Sequence, residues 1–213
     1  KTFNGASSFN QDIDDWDVTG ITTFSHLFSG ASSFNQSLNS WDVSGVTDMY
    51  RCFQSCGSFN GNVTSWDTSA VTGMQSMFEG CAAFAQDIGA WNTALVTNMS
   101  WMFYNNDAFN HDLSDWNVSN VTTMAWMFNN SGAFNNGGVT LDWSNTGSLT
   151  TIESMFEGAT AFNQVISGWD MTDVTTMKKA FKGATAFDQD IGGWDIAAVT
   201  TADDMFDGDG LSL

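Results

Sequence analysis

The chain has no proline, and only five lysines and arginines stand against 24 aspartates and glutamates. Without proline there is neither a Pro-rich linker nor a set of Pro-punctuated turns. A formal charge of −19 repels nucleic acid and anionic lipid through its summed field. The three cysteines leave the redox compartment open. The only histidines, His26 and His111, do not fall at nucleophile or metal spacing in the sequence and read as surface filler. No apolar run approaches the ~18 residues that span a bilayer, and no signal-peptide pattern is visible. What is present is an apolar content of 42%. That is enough for a long core and argues against a disordered acidic tail.

The apolar residues are periodic. Trp16, Trp41, Trp66, Trp91 and Trp116 recur every 25 residues, and Trp143, Trp169 and Trp194 continue the series after small insertions. A fixed period in the twenties marks a repeat array, in which each unit touches only its neighbours. Eight units align on Phe9, Phe34, Phe59, Phe84, Phe109, Phe134, Phe162 and Phe187. The sequence therefore reads as one solenoid over residues 1–213, cut mid-repeat at both ends. Phe3 precedes Phe9 as Phe28 precedes Phe34, and Asp207 to Leu213 stop before a repeat closes, so the expectation is a piece of a longer chain. The sixth unit, residues 134–161, is lengthened through Asn135-Asn136-Gly137-Gly138 and again between Trp143 and Leu149, as a bulged rim loop would be.

Within a unit, Ile-x-x-Trp-x-Val fits a short strand with alternating faces. Val46, Met49 and Phe53 then fall at i, i+3 and i+7, the spacing of one helix face, and Val71, Met74 and Phe78 repeat it. Thr47, Thr72, Thr97, Thr122, Thr175 and Thr200 sit where an N-cap belongs. Gly30, Gly80, Gly158, Gly183 and Gly208 sit where a left-handed stop belongs. These patterns predict an α/β repeat solenoid. It would be a leucine-rich-repeat-like, right-handed stack of coils with a parallel β-sheet on one side and short helices on the other.

The motifs Val46-Thr47-Asp48-Met49, Cys52-Phe53-Gln54-Ser55-Cys56 and Met77-Phe78-Glu79-Gly80-Cys81 resemble the BspA-type leucine-rich repeats of surface proteins. Phe9-Asn10-Gln11-Asp12 and Phe109-Asn110-His111-Asp112 are similar to the wording of a subgroup of long, repetitive surface lipoproteins. The resemblance spans all eight units and implies a non-catalytic binding or structural protein, secreted or at the cell surface. Ala85, Gly61 and Ala202 depart from the pattern, replacing Asn, Gln and Met.

Three groups of residues stand out as candidate sites. Asp17, Asp42 and Asp67 form an uninterrupted carboxylate column on the expected sheet face, and Ca²⁺ is the one cofactor such a column suggests. Trp101 and Trp126 lie outside the Trp column, 25 residues apart, with Tyr104 one turn from Trp101. Together they form a candidate aromatic binding patch. Lys178, Lys179 and Lys182 fall between acidic rungs, Glu153 and Glu157 on one side and Asp203, Asp204 and Asp207 on the other. The remaining carboxylates are arrayed in like environments, which does not suit a catalytic acid–base pair. Cys56 and Cys81 share one repeat position, either as inert buried thiols or as a bridge between coils. The functional expectation is a non-enzymatic recognition or adhesion module, extracellular or at the cell surface. It would present an acidic sheet face and an aromatic patch to a protein or glycan, not to nucleic acid. The alternative is a structural spacer in a larger assembly.

Overall fold

A computed structural model describes residues 2–208. The chain winds in coils that stack in register. Parallel bridges join Thr23 to Asp48, Asp48 to Gly73, Gly73 to Asn98, Asn98 to Thr123, Thr123 to Thr151, Thr151 to Thr176 and Thr176 to Thr201. Each coil is a succession of tight turns. In the coil from Trp41, turns close from Val46 N–H to Val43 O, Cys52 to Met49, Gln54 to Arg51, Cys56 to Phe53 and Phe59 to Cys56. The amides between them reach the next coil: Met49 donates to Gly73 O, Arg51 to Gln75 O, Phe53 to Met77 O and Ser55 to Glu79 O. Tyr50 N–H, left over, is taken by the Asp48 carboxylate at 2.9 Å. Every buried amide has to be satisfied somewhere, and here alternate amides serve the turn and the stack.

This pattern corrects the expected α/β solenoid. Among the described residues the one helical element is a 3₁₀ turn at Asn136–Gly138, and strand pairing is limited to the isolated bridges. Among the described residues there is neither a parallel β-sheet nor a set of repeating short helices, so the leucine-rich-repeat architecture is not adopted. The physical reason lies in the backbone of the expected helix. Arg51 and Ser55 have φ of 54° and 59°, each as third residue of a turn, the requirement of a type II turn. A right-handed helix cannot pass through left-handed residues. The threonines are not N-caps either. Thr72 donates both its amide, at 2.9 Å, and its hydroxyl, at 3.1 Å, to Thr47 O in the coil before it. The same hydroxyl bond recurs from Thr47 to Thr200.

The core consists of ladders of like side chains. Phe28, Phe53 and Phe78 stack at 5.4 and 5.6 Å between centroids with planes 1° apart, and Phe59 lies 4.0 Å from Phe53 within its own coil. Each buried Trp also pins one coil to another. Trp66 Nε1 donates to Leu38 O at 2.7 Å and Trp91 to Val63 O at 3.2 Å, and Trp41, Trp116, Trp143, Trp169 and Trp194 do likewise. The Phe-Asn-Gln wording has a similar role at another corner. The Asn35 side chain accepts from Asn60 N–H, and Gln86 Nε2 donates to both oxygens of Asn60. The sixth coil absorbs its extra residues at Asn136. Its buried side chain accepts from Leu113 N–H at 2.8 Å and donates to Ser114 Oγ at 3.0 Å.

Candidate functional site

One column of the stack differs from the rest. His26, Arg51, Ser76, Trp101, Trp126, Ser154, Lys179 and Asp204 occupy equivalent positions, and all have φ between 51° and 64°. None is glycine, although a left-handed residue with a Cβ costs about 1–2 kcal/mol. The second left-handed column, by contrast, holds Gly30, Ser55, Gly80, Asn105, Asn130, Gly158 and Gly183, as that backbone prefers. The first column accepts strain and holds eight residues of varied chemistry, of which Ser76 and Ser154 are buried.

Trp101 and Trp126 stack there, 4.8 Å apart with planes 6° from parallel. Tyr104 closes the group, 4.8 Å from Trp101 and 6.3 Å from Trp126. All three are partly buried rather than fully exposed. The structure thus brings the aromatic candidates together, on a face of turns instead of helices. Two hollows share Gln75, and the smaller of them borders Trp101. One, of about 210 Å³, is lined by Arg51, Gln75, Ser76, Glu79 and Trp101. The other, of about 420 Å³, is lined by Asp48, Tyr50, Thr72, Gly73, Gln75, Thr97 and Asn98. Each opens where a small residue, Ser76 or Gly73, interrupts a column of larger ones. Sequence reasoning missed Arg51, Gln75, Ser76 and Glu79. The available signal was a drop in side-chain volume at Ser76 between Arg51 and Trp101 when the repeats are aligned.

Asp17, Asp42 and Asp67 are exposed on successive coils. Each carboxylate is engaged in its own turn. Asp17 accepts from Thr19 N–H at 2.9 Å, Asp67 from Ser69 N–H at 3.0 Å, and Asp42 from both Ser44 N–H and Ser44 Oγ. Hydrogen bonds from those hydroxyls, then from the amides, hold the three below the ordinary carboxylate range. Among the described residues no group of three or more His, Cys, Asp or Glu is placed to hold a metal ion.

The lysine rung is partly formed. Lys182 Nζ lies 2.9 Å from Asp207 and 3.9 Å from Asp204, and Lys179 lies 3.9 Å from Glu157. Cys52, Cys56 and Cys81 are buried and unbridged. Cys56 and Cys81 each donate to a Phe carbonyl, of Phe28 and Phe53, at 2.9 Å. Ser131 makes the equivalent bond to Phe103 O. His26 packs edge-on against Tyr50 at 5.0 Å, and His111 Nε2 bonds Ala85 O at 2.8 Å, where the missing Asn side chain leaves room. No helix among the described residues is long and apolar enough to cross a membrane.

No curated protein matches the chain significantly. The family described as "Mycoplasma protein of unknown function" (DUF285) matches at residues 1–71, 47–146 and 139–210, together nearly the whole length. The chain is therefore a repeat protein that belongs to the DUF285 family.

Proposed function

We propose that this chain is a non-catalytic recognition module and that the face bearing Trp101, Tyr104 and Trp126 receives a protein or glycan partner. The observation that carries this reading is the stacked, partly exposed Trp pair, held at left-handed backbone positions. Strained backbone persists where the surroundings over-determine it, and such sites are enriched at binding surfaces. Trp and Tyr supply large contact area and dominate interface hot spots. The same column carries two of the chain's five basic residues, Arg51 and Lys179, so this face is less acidic than the net charge would suggest.

Placement outside the cell belongs to the same proposal and rests on sequence resemblance. So does kinship with BspA-type surface proteins, which the Val46-Thr47-Asp48-Met49 wording supports and the fold does not. Protease treatment of intact cells, with loss of the chain as the expected result, tests the location. Binding to glycan and protein arrays, compared between the parent and Trp101→Ala with Trp126→Ala, tests the function. The double variant should lose the bound spots while keeping the parent's melting behaviour. Retention of every spot would leave a structural spacer as the better reading.

A further inference from the structure

We infer that the hollow over Ser76 is a carbohydrate subsite that takes one uncharged pyranose ring between Trp101 and Arg51. The inference rests on the recognition reading above and gives it a substrate class.

The column runs Arg51, Ser76, Trp101, Trp126, Ser154, Lys179. The Trp pair is thus flanked on both sides by a Ser rung and then by a cation. The two flanks differ at the acid beside the Ser rung and at the cation beyond it. Glu157, beside Ser154, is engaged by Lys179 at 3.9 Å and by Asn129 Nδ2 at 3.1 Å. Glu79 holds the same place beside Ser76. Among the described residues neither its carboxylate nor the Arg51 guanidinium enters an ion pair. Arg51 lies over the Tyr50 ring at 5.0 Å, and its buried Nε–H has no hydrogen-bond partner. An unmet buried donor is costly, the more so on a charged group. The Gln75 amide oxygen accepts from Asn98 Nδ2 at 3.2 Å, which leaves its N–H₂ group as a donor to the hollow.

One face of Trp101 is covered by Trp126, and the rung on its other side is Ser76. Rungs of such a stack repeat at ~4.8 Å, so Arg51 and Trp101 are roughly 10 Å apart along it. A flat aromatic ring in contact on both faces, at ~3.5–4.0 Å each, leaves that space underfilled. A puckered sugar chair with axial hydrogens is thicker. Its C–H face suits the Trp101 ring, and its hydroxyls both donate and accept. They can meet the acceptor Glu79 and the donors Arg51 and Gln75 together. One cation and one anion leave the hollow neutral, and the chain's field of −19 disfavours an acidic sugar.

The test is titration by ligand-observed NMR with methyl glycosides of glucose, galactose, mannose and N-acetylglucosamine, and with p-cresol as the aromatic competitor. Saturable binding of at least one sugar is expected. Ser76→Trp extends the Trp stack into the hollow at a position where Trp is already accepted twice, and should weaken binding by about tenfold or more. Glu79→Gln and Arg51→Gln keep the hollow open and should each weaken binding by about tenfold, through loss of hydrogen bonds to charged groups. These two variants decide the matter should Ser76→Trp fail to fold. The subsite is overturned if no sugar binds, if p-cresol alone binds, or if the folded variants bind sugar as the parent does. Array spots lost in the Trp101/Trp126 double variant but kept by Ser76→Trp would overturn the subsite and leave the recognition reading standing.

Discussion

Replacing Trp66 by Phe tests how the coils are held together. The indole of Trp66 is 4% exposed and donates to Leu38 O at 2.7 Å, across 28 residues of chain, a little over one coil. That carbonyl also accepts from Trp41 N–H at 3.2 Å, so Phe leaves it half satisfied rather than orphaned. The lost bond is worth about 0.5–1.5 kcal/mol. The stack on Trp91, at 6.0 Å with planes 8° apart, loses ring overlap worth about 0.5–1 kcal/mol. The smaller ring leaves a void that the close-packed Phe ladder fills only in part. The total is about 2–3 kcal/mol, below the 3–5 kcal/mol of a full Trp→Ala truncation. The control is Trp16→Phe, because Trp16 is 50% exposed and such a surface change costs about 0.5 kcal/mol at most. Urea unfolding gives the midpoints. Hydrogen exchange at the Leu38 to Trp66 amides shows whether the loss is local, since repeat arrays depart from two-state behaviour. A Trp66→Phe variant no less stable than Trp16→Phe would refute the view that the indole bond and the stack join the coils.

Three further outcomes are expected. The thiols of Cys52, Cys56 and Cys81 should resist a thiol reagent until the chain unfolds, since burial raises all three, Cys56 to about 12; fast labelling of the folded protein would contradict this. Asp17, Asp42, Asp67, Asp112 and Asp170 titrate below their ordinary value of 3.8, chiefly through Ser, Thr and amide hydrogen bonds. Their contribution is therefore complete above that value and lost as pH falls below it, so the melting temperature should drop as pH falls below 3.8, and Ser44→Ala should blunt the drop; a flat profile would count against it. Lys182→Glu puts a like charge beside Asp204 and Asp207, so limited proteolysis after Trp194 should quicken at low salt and return toward the parent's rate at high salt; equal rates at low salt would show that the pairs do not hold that coil.

Much of the site was visible as columns before any fold was known. Trp101, Trp126 and Tyr104 were recognisable because two tryptophans 25 residues apart stood outside the Trp series. Ser76 was easy to pass over, because a small residue attracts notice only when it is compared with Arg51 and Trp101, its larger neighbours in the aligned repeats. The helix was misread for a related reason. Spacing of i, i+3 and i+7 at Val46, Met49 and Phe53 reports which side chains face the core. Consecutive tight turns produce that spacing as readily as a helix does.

The sequence by itself determined the register. A period of 25 with Trp, Phe, Asn and Thr at fixed places is enough to say which residues meet across coils, and the bridges from Thr23 to Thr201 follow it, with three added residues in the sixth coil. The tertiary structure decided the local backbone. The amides of Met49, Arg51, Phe53 and Ser55 find their acceptors 24 residues away, in the next coil. A hydrogen bond at that distance leaves no local signature, and once it is made the amide is no longer free to close a helical turn. The left-handed column of Arg51, Ser76, Trp101 and Trp126 exists because the stack holds it there, and a segment of one repeat alone would have no reason to adopt it.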